Sequence, residues 1–196
     1  MSGNLKLTGA VAEIAKKALR DTCGLLDKHR IPYVLEGGTL LGIVRENRLL
    51  PWDNDVDITV MDDQLARIQK LRWRFLMMGY EIKMRRAKED MPHFSIGTVR
   101  LVKVRKIKVF SENFGILDIF VKRKVDDKYF WIVGQHGHVL KSVASYFYEK
   151  RTRYHFDGYS YQVPEQYEEY LTCRYGNWRE PVKDYNFKTD DKSIVR

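Results

Sequence analysis

Two aspartates at alternate positions are the residues best suited to chemistry in this sequence. Asp55 and Asp57 lie in DNDVDITV, where polar and apolar residues alternate as in a half-buried β-strand. Side chains at i and i+2 of a strand point to the same face, so both carboxylates should lie beside Thr59. Such a pair repels and loses hydration unless a cation neutralises it. Mg²⁺, which binds one or two carboxylates together with phosphate oxygens, meets that requirement.

A glycine pair ahead of these aspartates predicts a phosphate site close to them. IPYVLEGG indicates a buried strand that ends at Gly37 and Gly38, and TLLGIVRE indicates a short helix with Thr39 as the candidate N-cap. Glycines let a phosphate approach the backbone, and N–H groups at a helix N-terminus bind anions. A plain turn and a solvated Asp-x-Asp are the alternatives. The order of strand, Gly-Gly, helix and Asp-x-Asp strand favours phosphoryl chemistry at a metal ion.

A third carboxylate lies in the segment GILDIFV. Asp118 is the only acid of an otherwise apolar run, where a charge without a partner is costly. We therefore interpret Asp118 as a metal ligand or a base, and a core aspartate bonded to the backbone is the alternative. Asp53 precedes the Asp-x-Asp strand. We expect it to hold the PWDN turn rather than to bind metal through water.

The remaining periodicity predicts the elements that position these residues. A helix is expected over about 9–29, and DDQLARIQKLRWRFLMMG and EQYEEYLTCRYG are also helical in period. Strands are expected in YEIKMRR, HFSIGTVRLVKVRKIKVF, FGILDIFVKRK and KYFWIVG, with a hairpin turn in KVDDKY. This order predicts an α+β fold, a mixed β-sheet flanked by helices. We expect one domain over 1–196, with a catalytic core at about 31–124 and a C-terminal aromatic and helical part at about 125–196.

The positive charge of the sequence suggests an anionic ligand. The net charge is +9, and most of the excess lies between Arg67 and Lys124. A basic surface beside an acidic site would suit nucleotide phosphates, an acidic glycan, nucleic acid or an anionic membrane face. A solvated basic face without a ligand is the alternative.

The sequence contains no membrane-spanning or secretory pattern. No window approaches the roughly 18 apolar residues of a membrane span, so we expect a cytoplasmic protein. Cys23 and Cys173 have no second Cys or His at a metal-ligand spacing, and we expect both to be buried thiols.

The segment GGTLLGIVRENRLLPWDNDVDI resembles the signature of the LicD family, which includes the fukutin-related transferases and has a nucleotidyltransferase-type fold. The resemblance continues at LDIF and at VPEQYEEYLTCRYGNWREPV, so it covers about residues 36–181. It implies that Asp55, Asp57 and Asp118 are catalytic acids that bind Mg²⁺ or Mn²⁺. It also implies that the turn at 37–39 holds the donor phosphates. Arg45 stands at a motif arginine and could bind a phosphate or an acid.

The family resemblance implies a metal-dependent phosphotransferase. A phosphoalcohol of the choline, ribitol or glycerol phosphate type would pass from a CDP-linked donor to a hydroxyl of a glycan or glycolipid. The alternatives are a nucleotidyltransferase that transfers a nucleoside monophosphate from a triphosphate, and a non-catalytic basic module that binds a polyanion. The cysteine-rich insertion and membrane anchor of animal members are absent, which implies a soluble version with at most peripheral membrane contact and without nucleic acid as a partner. Trp52 and the aromatic residues of the closing motif are expected to pack in the core.

Overall fold

The structure, a computed structural model, describes residues 6–107, 114–134, 137–182 and 185–195. Its helices and strands follow one another along the chain in the following order: α1 (Gly9–Lys28), β1 (Val34–Leu35), α2 (Gly37–Glu46), β2 (Val56–Met61), a 3₁₀ turn (Asp62–Gln64), α3 (Leu65–Lys70), α4 (Arg72–Met77), β3 (Tyr80–Arg86), β4 (Val99–Lys106), β5 (Phe114–Val125), β6 (Lys128–Val133), β7 (Val139–Ala144), α5 (Tyr146–Glu149), β8 (Arg151–Phe156), β9 (Tyr159–Pro164) and α6 (Tyr167–Tyr175).

A mixed sheet organises the fold. Its strands run in the order β1-β2-β5-β4-β3, and the long strand β5 continues past the sheet to pair with β6, which pairs with β7. The β2–β5 pair is parallel and the other pairs of this sheet are antiparallel. Helices flank the sheet, and β8 and β9 form a separate hairpin. The predicted α+β class with a mixed sheet flanked by helices is confirmed.

The alternation predicted for β2 is present. Val56, Ile58 and Val60 are fully buried in the core, while Asp57 lies on the opposite face and is only partly buried. Helix α1 packs through the buried side of its amphipathic pattern, with Leu19 and Leu26 fully enclosed. The position of Asp57 relative to the core therefore follows from the period of two in its strand.

Some predicted elements differ from those in the structure. The helix expected after β2 is interrupted at Leu71, between α3 and α4. The strand expected from His93 begins only at Val99, because the chain turns at His93 and Gly97, where φ is +68° and +88°. The end of that expected strand, residues 108–110, lies outside the described residues. The strand expected in IPYVLEGG is reduced to β1.

The C-terminal third is more regular than the sequence indicated. Three strands, β7, β8 and β9, lie where no strand was expected. The β8–β9 hairpin turns at Asp157 and Gly158, whose φ angles are +49° and +74°. Asp-Gly between two segments rich in aromatic and β-branched residues is a strong hairpin signal, so this element could have been found from sequence.

Two expectations about burial were wrong. Cys23 is buried as expected, but Cys173 is exposed, and both thiols are free. The side chain of Trp52 is 49% exposed rather than packed in the core.

Within the part of the chain that the structure describes, no helix combines the length and the apolar character needed to cross a membrane. The cytoplasmic location stays a prediction.

Candidate functional site

The three predicted acids converge at the point where β2 and β5 pair. Asp57 and Asp118 are neighbours because the two parallel strands place them in register. Asp55 immediately precedes β2, and it shares the ammonium group of one lysine with Asp118. The Nζ atom of Lys103 lies 3.2 Å from Asp55 Oδ2 and 2.8 Å from Asp118 Oδ1.

Lys103 is a site residue that the sequence analysis missed. It lies on β4 directly opposite Asp118, and its side chain is mostly buried. Burial alone would lower its pKa, but the charges of Asp118 and Asp55 raise the pKa above the ordinary value, so the side chain stays cationic. Gly115 leaves room for it, because a Cβ there would lie 2.9 Å from Lys103 Cδ. A single lysine between Val102 and Val104 was the available signal.

Asp53 also faces the site. Its backbone N–H closes the expected turn with a hydrogen bond of 3.1 Å to the carbonyl oxygen of Leu50, while its carboxylate points to the glycine turn. Its Oδ2 atom approaches Gly38 so closely that a Cβ on this glycine would lie 2.0 Å away. Burial, and then the charge of Asp55, raise the pKa of Asp53 to about 6. We refer to Asp53, Asp55, Asp57 and Asp118 as the acidic site.

The glycine turn borders the acidic site directly. Helix α2 begins at Gly37, with Glu36 as the N-cap residue. Gly37 has φ +57°, and a Cβ there would lie 2.8 Å from Asp57 Oδ2, so glycine is favoured by both backbone conformation and space. Thr39 is not the N-cap that was predicted. Its buried Oγ1 accepts a hydrogen bond of 2.7 Å from Asp57 N, which fixes the start of α2 against β2.

The electrostatics of the acidic site show an excess of negative charge. Burial, followed by the charges of Asp55 and Asp118, raises the pKa of Asp57 well above its ordinary value. Burial and the charge of Asp55 raise the pKa of Asp118 to about 6, although Lys103 opposes this shift. Lys103, together with the charges of Lys6 on Asp53 and of Arg100 on Asp118, therefore does not balance the four carboxylates. A further cation would stabilise their charged forms.

The donor set fits a hard divalent cation chemically. Mg²⁺ and Mn²⁺ prefer oxygen ligands, and the site offers carboxylate oxygens, including Asp118 Oδ1, which is buried and receives no well-aligned hydrogen bond. Across the described ranges, no three His, Cys, Asp or Glu side chains are grouped as a metal would require. Lys103 Nζ is positioned between two of the acids. Ions at Asp55 and Asp118 would compete with this ammonium group.

Arg45 makes structural contacts. Its Nε donates to Glu46 Oε1 at 2.9 Å, and its Nη1 donates to the carbonyl oxygen of Trp178 at 3.3 Å. The bond to Trp178 ties α2 to the segment after α6. Arg45 was expected to bind either a phosphate or an acid. The structure contains the contact with an acid, Glu46, and phosphate binding by Arg45 stays a prediction.

A second group of charges lies behind the glycine turn, fully enclosed. Glu36, the residue before Gly37, bonds through Oε2 to Lys122 Nζ at 2.8 Å and through Oε1 to Arg174 Nη1. Arg174 also pairs with Asp191 at 2.6 Å. The members of this buried ion network are Glu36, Lys122, Lys141, Tyr148, Tyr170, Arg174 and Asp191.

The network has the opposite electrostatic balance to the acidic site. Burial pushes the pKa of Glu36 up, but the charges of Lys122 and Arg174 hold it well below its ordinary value. Burial lowers the pKa of Lys122 to about 7 although Glu36 opposes the shift. The sequence patterns did not predict this network. The predicted basic surface between Arg67 and Lys124 included Arg100, Lys103 and Lys122, but all three are buried, so that part of the prediction was wrong.

Comparison with known proteins identifies the family. Residues 30–166 match the family described as LicD/FKTN/FKRP, nucleotidyltransferase domain. An uncharacterized protein of Rickettsia prowazekii is 35% identical over 82 residues, which are 42% of this chain and 31% of that protein. The ribitol 5-phosphate transferase FKRP of Homo sapiens is 38% identical over 60 residues, 29% of this chain and 12% of FKRP.

A bacterial transferase shows the same likeness. The lipopolysaccharide cholinephosphotransferase LicD of Haemophilus influenzae is 40% identical over 43 residues, 22% of this chain and 16% of LicD. The chain thus spans less than a third of the length of each of these three relatives. The family match covers well over half of the chain and confirms the resemblance noted in the sequence. The chain belongs to the LicD/FKTN/FKRP nucleotidyltransferase-domain family.

Proposed function

We propose that this protein is a metal-dependent phosphotransferase that moves a phosphoalcohol from a CDP-linked donor to a hydroxyl of a glycan or glycolipid. The observation that carries the proposal is the convergence of Asp55, Asp57 and Asp118 beside the glycine turn at Gly37 and Gly38. The names of the relatives support the substrate class, since one is a ribitol 5-phosphate transferase and another a cholinephosphotransferase.

The acids are proposed to hold Mg²⁺ or Mn²⁺. Asp57 and Asp118 would do so from adjacent strands, and Asp55 from the residue before β2. When bound, the ion would neutralise charge on the transferring phosphoryl group. Two observations support this assignment. The site offers the oxygen ligands that these ions prefer, and the raised pKa values of Asp57 and Asp118 show an excess of negative charge that an added cation would neutralise.

The glycine turn is proposed to hold the donor phosphates. The first N–H groups of α2 have no acceptor within their own helix, and the positive end of the helix dipole lies there. Gly37 and Gly38 expose these groups because neither carries a side chain. Phosphate oxygens bound here would lie beside the carboxylate of Asp57, which approaches the same turn.

Two further side chains have proposed roles in the transfer. The acceptor hydroxyl oxygen would form the new bond to phosphorus while Asp118 accepts its proton at a carboxylate oxygen. The bond from phosphorus to the CMP oxygen would break, and CMP would leave with the electron pair. Lys103 would then be free to pair with a phosphate oxygen, because a cation on the acids replaces it there. Such a move keeps the positive charge of Lys103 within the site.

A thermal-shift panel tests the proposal without knowledge of the acceptor. The melting temperature is measured with Mg²⁺ or Mn²⁺ and with CMP, CDP, CDP-choline, CDP-ribitol, CDP-glycerol or the four nucleoside triphosphates. A ligand that binds only the native state stabilises it by about 2.7 kcal/mol at about one hundred times its Kd. We expect the largest metal-dependent shift with a CDP-alcohol. The shift should be lost in Asp57→Asn and kept in Asp126→Asn, which changes an exposed turn aspartate.

Two results would redirect the proposal. A shift selective for a nucleoside triphosphate would support nucleotidyl transfer, which the description of the family domain also favours. In that case pyrophosphate rather than CMP should be released. No metal-dependent shift with any nucleotide would leave the non-catalytic polyanion-binding module as the function to pursue.

A further inference from the structure

A short helix that contributes no residue to the acidic site exposes an apolar stripe. Trp73, Leu76 and Met77 lie on α4 at spacings of three and four residues, so they share one face of the helix. Their side chains are 72%, 45% and 76% exposed. On the opposite side of α4, Phe75 is fully buried, which fixes the helix orientation. The stripe is therefore held outward by the fold.

Positively charged side chains flank this stripe on both sides. Arg72 and Arg74 precede and follow Trp73, and Lys70 ends the preceding helix. Arg20 and Lys28 of α1 line a groove together with Arg74, Met77 and Asp21, whose carboxylate is paired with Lys17. We call Trp73, Leu76, Met77 and these five cations the α4 face.

The five cations of the α4 face are unpaired in the part of the chain that the structure describes. In the described residues, none of them forms an ion pair or a side-chain hydrogen bond. Elsewhere Arg153 pairs with Asp27 and Arg179 pairs with Glu168, whereas Lys128 and Lys150 are exposed without an ion pair in the described residues and lie apart from any large exposed apolar group of this kind. Unpaired cations around exposed Trp, Leu and Met therefore distinguish the α4 face from the rest of the basic surface.

We propose that the α4 face binds the surface of an anionic lipid bilayer. Tryptophan favours the boundary between lipid headgroups and acyl chains, and the neighbouring Leu and Met would enter the same apolar layer. The long arginine and lysine side chains would extend from the helix to anionic headgroups. A bilayer satisfies both features together, since it offers an apolar layer directly beneath a negatively charged one. This inference is independent of the function proposed for the acidic site.

Vesicle co-sedimentation tests the assignment, without nucleotide or metal. We expect the protein to bind vesicles of phosphatidylcholine and phosphatidylglycerol in equal amounts, and to bind phosphatidylcholine alone much more weakly. Each cation near an anionic surface contributes about 1 kcal/mol, or about fivefold in binding. Arg72→Gln/Arg74→Gln should therefore weaken binding by about 25-fold. Lys128→Gln/Lys150→Gln, which removes two exposed cations elsewhere, should change it much less.

A second pair of variants separates apolar insertion from charge. Trp73→Ser/Met77→Ser should weaken binding by at least about tenfold, because two large apolar side chains no longer enter the bilayer. Ile96→Ser, at a side chain that is 62% exposed in a loop, serves as the matched control and should bind as the wild type does. In a Trp52→Phe background Trp73 is the one strongly exposed tryptophan, since Trp131 and Trp178 are buried. Brominated lipids should then quench its fluorescence.

Three outcomes would overturn the assignment. The first is no binding to anionic vesicles. The second is binding that Trp73→Ser/Met77→Ser leaves unchanged, which would reduce the α4 face to a charged surface. The third is a dimer in light-scattering measurements that the same variant dissociates, which would assign the face to a second copy of this chain.

Discussion

Two groups of buried or partly buried carboxylates meet at the start of α2, and they differ in how their charge is balanced. Glu36 belongs to the buried ion network, in which every acid pairs with a lysine or arginine. Gly37, the next residue, borders Asp57 of the acidic site, where Lys103 is the cation that forms ion pairs with the acids in the described residues. The charges of Lys6 and Arg100 also act on Asp53 and Asp118, but the pKa values of both acids stay raised. Balanced buried charge costs little and holds structure, whereas unbalanced charge is retained at a cost in stability. The difference supports the proposal that the second group is the functional one.

Truncating the network should have the largest effect on stability. Arg174→Ala leaves Glu36 and Asp191 without their shared arginine, and removing one partner of a buried ion pair costs about 3–5 kcal/mol. Urea unfolding followed by circular dichroism measures the change. Arg179→Ala, at an exposed pair with Glu168, should cost less than about 1 kcal/mol. Equal losses in the two variants would show that the network is not the structural centre we infer.

The acidic site should respond in the opposite way, with activity lost and the fold kept. We expect Asp57→Asn to lower phosphotransfer by about a hundred- to a thousandfold, the loss typical of one electrostatic catalytic group. Its urea midpoint in metal-free buffer should not fall. Release of CMP from the CDP-alcohol selected by the thermal-shift panel gives the rate. A variant that keeps wild-type activity would remove Asp57 from the site.

The sequence predicted the acidic site better than the network because of how their members are spaced. Asp55 and Asp57 are two residues apart on one strand, and Asp118 stands out as a lone acid in an apolar run. Each is costly unless it has a partner, so proximity could be inferred from local patterns alone. Their pairing across β2 and β5 follows from parallel register, which sequence did not specify.

The network has no comparable local pattern. Glu36 reaches Lys122 across 86 positions and Arg174 across 138. Lys122 lies in the segment VKRK, where it resembles its solvated neighbours, and only the tertiary fold encloses it. Charge counts therefore placed it on the surface. Lys103 was missed for the same reason, although its position between two valines indicated burial.

Lys103 offers an intermediate test, since its ion pairs with Asp55 and Asp118 partly balance the acidic site. Lys103→Met should destabilise the metal-free protein by about 1–3 kcal/mol at neutral pH, because Asp55 and Asp118 lose their shared counter-ion. Stabilisation by Mg²⁺ should become larger than in the wild type, since the ion no longer displaces an ammonium group. Lys83→Met, at an exposed position of β3, is the control and should change neither quantity. A smaller Mg²⁺ effect in Lys103→Met would mean that the lysine supports cation binding.

The pH dependence of stability should reveal the smallest effect and the clearest difference between the two groups. The folded-state pKa of Asp57 is raised, so below the unfolded value of about 4 both states are protonated and Asp57 adds no penalty. As the pH rises from the unfolded pKa to the raised folded pKa, the unfolded chain ionises first and the native protein loses stability relative to it. Asp57→Asn removes this loss, so its stability relative to the wild type should increase from pH 4 to pH 8 by about 1 kcal/mol or more in EDTA.

The network supplies the opposite dependence in both proteins. The pKa values of Glu36 and Asp191 are lowered, so their stabilisation is present above their unfolded pKa values and is lost as the pH falls. Because Asp57→Asn leaves the network intact, this contribution cancels in the difference between wild type and variant. Excess Mg²⁺ should reverse the sign at pH 8, since it stabilises only the protein that retains all the acids. A stability difference that stays constant with pH and is insensitive to Mg²⁺ would mean that the charge at Asp57 is already balanced.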